Sequence, residues 1–171
     1  GAAYRDGFRH AKGDVIFEMD ADLSHDPKYI PDFLKAIKYA DVVVGSRYMR
    51  GGGVIDWPFK RKIISAGGNF LARIALGLKM HDITSGYKAY RKEAAAIVQE
   101  TKSDHYVFQA ETLYLAKKKG LIISETPIVF QDRKIGKSKL GNGDVHEFTT
   151  YLFRTWREFH FGWIKKKGAG K

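Results

Sequence analysis

The sequence predicts an α/β protein with a mostly parallel sheet flanked by helices, and three observations lead there. The runs Val15-Ile16-Phe17-Glu18-Met19 and Asp41-Val42-Val43-Val44-Gly45 are short and almost continuously apolar, as strands buried on both faces are. Between them, Pro27 to Lys38 places Ile30, Phe33, Leu34 and Ile37 at helical spacing. Strand, helix and strand make a βαβ unit, whose strands run parallel and end on one edge. The 171 residues and 44% hydrophobic content suit one globular domain with one core. No stretch approaches the roughly 18 uninterrupted apolar residues of a spanning helix, so a soluble or peripheral protein is expected. The absence of cysteine excludes disulfides and thiolate metal sites and fits a reducing compartment.

In chain order, Gly1 to Lys12 reads as a helix ended by Gly13 at C′ and already feeding a strand. With no initial Met, this opening is expected to follow an N-terminal truncation. After the first strand, Asp26 at N-cap and Pro27 at N1 start the next helix. Gly51-Gly52-Gly53 reads as a flexible turn and Pro58 to Leu78 as a long helix with a kink at Gly67-Gly68. His81 to Tyr90 alternates as a short strand after a turn, and Lys92 to Glu100 is an Ala-rich helix. Phe108 to Lys119 is an amphipathic helix stopped by Gly120. Leu121 to Phe130 is a strand in which Pro127 marks an edge or a bulge. Residues 131–143 form a basic, Gly-punctuated loop of the kind that closes over phosphates.

The first strand delivers the chemistry. It runs into Asp20-Ala21-Asp22-Leu23-Ser24-His25, and ligands of α/β sheets bind at the carboxyl ends of strands. Residues i and i+2 share a face, so Asp20 and Asp22 present two hard oxygen donors that suit Mg²⁺ or Mn²⁺ with positions left for phosphate oxygens and water. Ser24 and His25 stand where a further ligand would come from. The second strand ends in Ser46-Arg47-Tyr48, so Arg47 reaches the same edge, as a phosphate clamp or as an ion-pair partner of Asp22; bidentate geometry favours the clamp. Glu111 is open to two readings, a general base or a salt-bridged surface carboxylate.

Charge narrows the partners. The net charge is +11, and residues 131–171 hold ten Lys/Arg against four Asp/Glu. Such a surplus suits nucleic acid, anionic lipid or a phosphorylated substrate. Lys60, Arg61 and Lys62 crowd a helix N-terminus, where cations oppose the dipole and an anionic partner would relieve them. From Asp144 onward the chain is amphipathic. Between Phe148 and Trp163 it carries seven aromatic residues flanked by Arg154, Arg157 and Lys165-Lys166-Lys167, the composition of an interfacial membrane segment. A C-terminal helix packed on the core is the competing reading.

Four segments in order, Asp14 to Pro27 (DVIFEMDADLSHDP), Val42 to Arg50 (VVVGSRYMR), Asp82 to Tyr90 (DITSGYKAY) and Phe130 to Leu140 (FQDRKIGKSKL), carry a resemblance. The chain resembles the family 2 glycosyltransferases, and within them the dolichol-phosphate or polyprenol-phosphate mannosyltransferases. That resemblance implies a GT-A fold, Rossmann-like and here lacking its first βα units, with Mg²⁺ or Mn²⁺, GDP-mannose as donor and a dolichyl or polyprenyl phosphate as acceptor. It implies an inverting transfer. It places Asp20, Ala21 and Asp22 at the donor diphosphate and metal, with Ser24 as a metal-side ligand. Arg47, Arg61 and Ser65 fall near the acceptor phosphate, and Arg133 and Lys139 on the closing loop. Residues 1–143 are then a partial catalytic domain and 144–171 a membrane-associating segment on the cytoplasmic face. A polyprenyl-phosphate glucosyltransferase, or another family 2 transferase, shares these features. A haloacid-dehalogenase-like phosphatase also begins with a strand and DxDxS, but its later acidic pair has no counterpart here. A non-enzymatic lipid- or nucleic-acid-binding module would not need paired carboxylates at a strand end, where they repel phosphates unless a metal intervenes; nucleic acid is therefore not expected as a partner.

Overall fold

A computed structural model describes residues 1–132 and 142–167, with the backbone alone at 142 and 159–167. Four strands form the main sheet: β1 (Val15–Glu18), β2 (Val42–Ser46), β4 (Lys88–Arg91) and β5 (Ile123–Pro127), in the order β1-β4-β2-β5. Three of them run one way and β4 runs against them, pairing antiparallel with β1 and β2, while β2 and β5 are parallel. The βαβ reading of β1, α2 (Ile30–Ala36) and β2 therefore holds for direction and not for adjacency. The antiparallel insert has a consequence for the site. β4 begins at Lys88, opposite Glu18 and Val44, so residues 82–87 arrive at the edge where β1 and β2 end.

Gly53–Ile55, read from sequence as part of a flexible turn, is a short strand, β3, paired parallel with β6 (Val129–Gln131). The expected strand over Leu121 to Phe130 is broken in two at Pro127. Ile128 N–H still donates to Ser46 carbonyl, and beyond it the chain leaves the main sheet for β3. Proline, lacking the donor a ladder needs, sits where the partner changes.

The helices follow their signals with local departures. In α1 (Ala2–His10) the C-cap is Ala11 in an extended conformation, so Gly13 has no capping role. Asp26 caps as expected, accepting from Lys28 N–H ahead of Pro27, but the first turn is a 3₁₀ turn leading into α2. In α3 (Phe59–Leu76) helical structure continues through Gly67-Gly68 and ends at Gly77, whose φ of 60° fits a residue without Cβ. The Ala-rich stretch is a 3₁₀ turn followed by the single turn α4 (Ile97–Glu100). The helix α5 (Val107–Lys118) is as expected.

The alternation of β2 divides the core. Val42 and Val44 face a cluster with Leu76, Ile83, Tyr90, Phe108 and Leu113; Val43 faces Phe33, Ile37, Tyr87, Ala89 and Ile128 beneath α2. The last helix, α6 (Asn142–Lys167), packs against α3 and α5. Tyr151 and Leu152 are buried in the core, with Phe148 and Trp156 packed against it. This corrects the expected division at 143/144, because the first turns of α6 belong to the folded domain. Burying four large apolar side chains stabilises more than exposing them to a headgroup region would. Phe153 alone among the described aromatic residues of α6 is mostly exposed.

Where β2 meets α2 the packing leaves no room for a methyl group. A Cβ on Gly45 would stand 2.9 Å from Phe33 Cζ and 3.0 Å from Ile128 Cδ1. Gly45→Ala is expected to destabilise the fold by about 1–3 kcal/mol through overpacking. A urea titration checks this: the midpoint falls at unchanged slope, against the small gain that alanine normally gives over glycine in a strand.

Candidate active site

The corner after β1 is shaped by its own side chains. Asp22 Oδ1 accepts from Ser24 N–H at 3.1 Å and from the Ser24 hydroxyl, closing a turn in which Leu23 has a φ of 65° and projects into solvent. Ser24, expected as a metal-side ligand, thus turns its buried hydroxyl to Asp22 and orients that carboxylate. Asp20 N–H donates to His25 Nδ1 at 2.9 Å, so Nδ1 is an acceptor and the proton sits on Nε2. The imidazole is stacked on Tyr87 and set edge-on to Phe130. Burial pushes its pKa down to about 4, with Asp20 opposing and Arg47 adding to the shift, so the ring is neutral and serves the loop rather than the solvent. Tyr4 of α1, stacked on Phe108, donates its hydroxyl to Asp20 Oδ1 at 3.2 Å. Burial and then the carboxylates of Glu18, Asp20 and Asp22 hold that phenol far above its usual range, so it remains a donor.

Arg47 reaches this edge, as the strand directions require, but its carboxylate is Asp82 and not Asp22. Nε donates to Asp82 Oδ2 at 2.7 Å and Nη2 to Oδ1 at 2.8 Å, while Arg47 N–H also donates to Oδ2 at 3.0 Å. Nη2 donates to Thr84 Oγ1 as well. Of the alternatives open in sequence, the ion pair is what the structure contains, with a different partner. Burial disfavours the guanidinium charge, and Asp82 more than offsets this, leaving Arg47 above its ordinary pKa. Asn69 of α3 locks the same segment by accepting from Ile83 and Thr84 N–H and donating to Thr84 Oγ1. Glu125 accepts from His81 and Asp82 N–H.

Arg61 lies in the first turn of α3, partly exposed, 4.0 Å from the Trp57 ring centroid, and Nη1 donates to Asp132 Oδ2 at 2.7 Å. The Arg47 guanidinium lies over the same indole at 5.4 Å. Ser65, one turn on, lies beside the buried Tyr48 hydroxyl. Arg47, Arg61 and Ser65 therefore border one region around Trp57. Arg133 and Lys139 lie outside the described residues. Glu111 accepts from Lys102 and Ser103 N–H and so fixes a turn, which removes it as a base.

No group of three or more His, Cys, Asp or Glu side chains among the described residues is arranged to hold a metal ion. The donor set still fits Mg²⁺ or Mn²⁺, which bind through one or two carboxylates with the remaining positions filled by phosphate oxygens and water. Asp20 keeps 41% of its side chain exposed at the rim, and Asp22 is half-buried beside it.

Residues 1–97 match the family model described as glycosyl transferase family 2. The chain belongs to this family. As a family 2 chain it is 43% identical over 159 residues to an undecaprenyl-phosphate mannosyltransferase of Micrococcus luteus, covering 90% of this chain and 65% of that protein. It is 39% identical over 153 residues to a polyprenol monophosphomannose synthase of Mycolicibacterium smegmatis, covering 86% and 58%. The chain thus spans less than two thirds of the length of these relatives. Among solved structures it is similar to glucosyl-3-phosphoglycerate synthase of Mycobacterium tuberculosis in complex with phosphoglyceric acid (TM-score 0.58, 14% identity, 91% of this chain and 53% of that one). The same enzyme in complex with uridine diphosphate gives a TM-score of 0.57 at 16% identity, again over 91% and 53%. These neighbours bear out the GT-A fold.

Several residues of this family 2 site escape a reading of the sequence. Asp82, Thr84 and Asn69 around Arg47, Trp57 beneath both arginines and Tyr4 on Asp20 were not singled out. Asp82 opens the segment DITSGYKAY, and a carboxylate beside a turn feeding an edge-bound strand was the available signal. Asn69, buried in mid-helix, carried another, since such a residue needs partners from elsewhere in the chain. Tyr4 and Trp57 carried none.

Proposed function

We propose that this chain is the catalytic part of an inverting polyprenyl-phosphate mannosyltransferase that moves mannose from GDP-mannose to a dolichyl or polyprenyl phosphate. The observation that carries the reading is the meeting of the Asp20-x-Asp22 corner with the arginine-lined Trp57 region at one sheet edge, in a chain whose relatives are named for polyprenyl-phosphate mannosyl transfer. The corner takes the donor diphosphate and the arginine side takes the acceptor phosphate.

Asp20 and Asp22 are the residues to hold Mg²⁺ or Mn²⁺, which when bound supplies charge to the departing diphosphate. Ser24 and Tyr4 aim the two carboxylates. Ala21 between them places its backbone at the diphosphate. The acceptor phosphate is already anionic, so its oxygen attacks the anomeric carbon without a general base. Arg61, exposed on one side, is available to that phosphate, with Ser65 as a hydroxyl donor. Arg47, bound to Asp82, acts by holding Trp57 and the 82–84 segment in place as well as by its charge. Arg133 and Lys139 are assigned to the leaving diphosphate on the loop that starts at Asp132.

The enzyme works at the cytoplasmic face of a membrane as a peripheral protein. No helix among the described residues is long and apolar enough to cross one. The surface that supports contact is on α3, where Phe59, Ile63, Ile64, Phe70, Leu71 and Ile74 are each at least half exposed, beside exposed Lys60 and Lys62. Rings and aliphatic side chains next to lysines fit an anionic bilayer. Phe70→Ser/Ile74→Ser is expected to lower co-sedimentation with phosphatidylglycerol vesicles roughly tenfold, while the half-buried Trp156 contributes through the fold. Equal sedimentation of variant and wild type would overturn this assignment.

The direct test is transfer by the full chain. GDP-mannose, GDP-glucose and UDP-glucose are offered in parallel with a polyprenyl phosphate and Mn²⁺. Mannosyl product with the first alone is expected; glucosyl product would assign the rival donor, and no product with any donor would overturn the reading.

A further inference from the structure

Beneath the Asp20-x-Asp22 corner the sheet carries an ion pair that the transfer chemistry does not use. Lys88 opens β4 in register with Glu18 of β1, and both side chains are wholly buried. Lys88 Nζ lies 3.6 Å from Glu18 Oε1 and donates to Gln109 Oε1. Gln109 Nε2 donates to Glu18 Oε1 at 2.6 Å, and the Tyr90 hydroxyl donates to Glu18 Oε2 at 2.8 Å. A pair of apolar residues would serve a central sheet position at least as well, because desolvation of two charges consumes most of their attraction. The pair therefore calls for a role other than stability.

Its position supplies one. A Cβ on Gly86, two residues before Lys88, would stand 3.5 Å from Gln109 Nε2, 3.6 Å from His25 Cε1 and 3.7 Å from Asp20 Oδ1. The buried network and the corner thus meet around one glycine. Burial lowers the Lys88 pKa, and Glu18, Asp82 and Asp20 oppose that shift, so the ammonium feels the corner as well as its partner. The carboxylates of this region are Glu18, Asp20, Asp22 and Asp82; the cations are Lys88 and Arg47, with His25 neutral. Two negative charges remain, which one divalent cation balances.

We propose that the Lys88–Glu18 pair sets the charge of the corner and hence how firmly Asp20 and Asp22 hold a divalent cation, with Lys88 a positioning residue and not a ligand. This rests on the metal reading above. Neutralising Glu18 leaves the ammonium uncompensated below the corner and weakens the cation; neutralising Lys88 does the reverse. Changing both restores the surplus of two.

The test uses Mn²⁺ alone, with no substrate, and reads the free ion by electron paramagnetic resonance in the full chain. Glu18→Gln is expected to weaken Mn²⁺ roughly tenfold, Lys88→Gln to tighten it several-fold, and Glu18→Gln/Lys88→Gln to return it near the wild-type value. Each single variant reads its own sign, so one that does not fold leaves the other and the double variant to decide. Unchanged affinity in the folded variants, while Asp22→Asn abolishes binding, would overturn the inference alone. Absence of Mn²⁺ binding in the wild type would overturn the metal reading and this inference together.

Discussion

Asp22→Asn is expected to lower transfer at least a hundredfold while leaving the fold intact. The two consequences separate because the side chain has two tasks. Its Oδ1 closes the turn by accepting from Ser24 N–H and hydroxyl, and an asparagine carbonyl keeps that acceptor. What the substitution removes is the charge, and with it an anionic oxygen for Mg²⁺ or Mn²⁺. Loss of one preorganised electrostatic contact to a leaving group costs about a hundredfold to a thousandfold in turnover. The measurements are turnover with GDP-mannose and polyprenyl phosphate, and the thermal midpoint of the same sample. A fall in turnover at a midpoint within about 2 °C of wild type is the expected result. Undiminished wild-type turnover in excess chelator would sink the metal role of both carboxylates.

The layered α/β plan was legible because it rests on periodicity. Val42 to Val44 read as a strand buried on both faces, and its alternate residues do feed the two halves of the core. The order of strands was not legible. Insertion of β4 between β1 and β2 depends on which edge residues 82–87 return to, and the alternation of His81 to Tyr90 contains no direction. The strand β3 was missed because three glycines suggest a turn, whereas here Gly53 begins a strand whose partner lies far along the chain. The C-terminal helix was misjudged for a related reason. Aromatic residues on several faces look alike whether they meet lipid or a groove between α3 and α5, and burial of Tyr151 and Leu152 is decided by those distant helices.

In the site, residues that touch solvent were easier to find than those that hold them. Asp20, Asp22, Arg47 and Arg61 carry charges at predictable strand and helix ends. Their supports, Tyr4, Asn69, Asp82 and Trp57, come from four separate segments whose meeting depends on tertiary packing. The same limit applies to Arg47, whose arrival at the edge followed from strand direction while its partner did not.

That partner carries the other large effect. Asp82 is fully buried and Arg47 nearly so, and the pair is bidentate, with the Arg47 N–H as a third donor. Asp82→Asn turns one acceptor into a donor aimed at a guanidinium and leaves that cation buried without its counter-charge. Breaking a buried pair in this way costs about 3–5 kcal/mol, a large fraction of the stability of a single domain. Thr84→Val removes only the neutral contact to Nη2 and is expected to cost about 1 kcal/mol. Arg47→Met/Asp82→Leu removes both charges and should recover most of the loss in the urea midpoint. It should not recover transfer, because the Trp57 side of the site loses the cation lying over the indole. Stability restored without activity would identify Arg47 as a residue that serves the reaction and is held by Asp82. Full activity in the double variant would show that the pair only braces the fold, and a wild-type urea midpoint in Asp82→Asn would show that the guanidinium does not depend on this carboxylate.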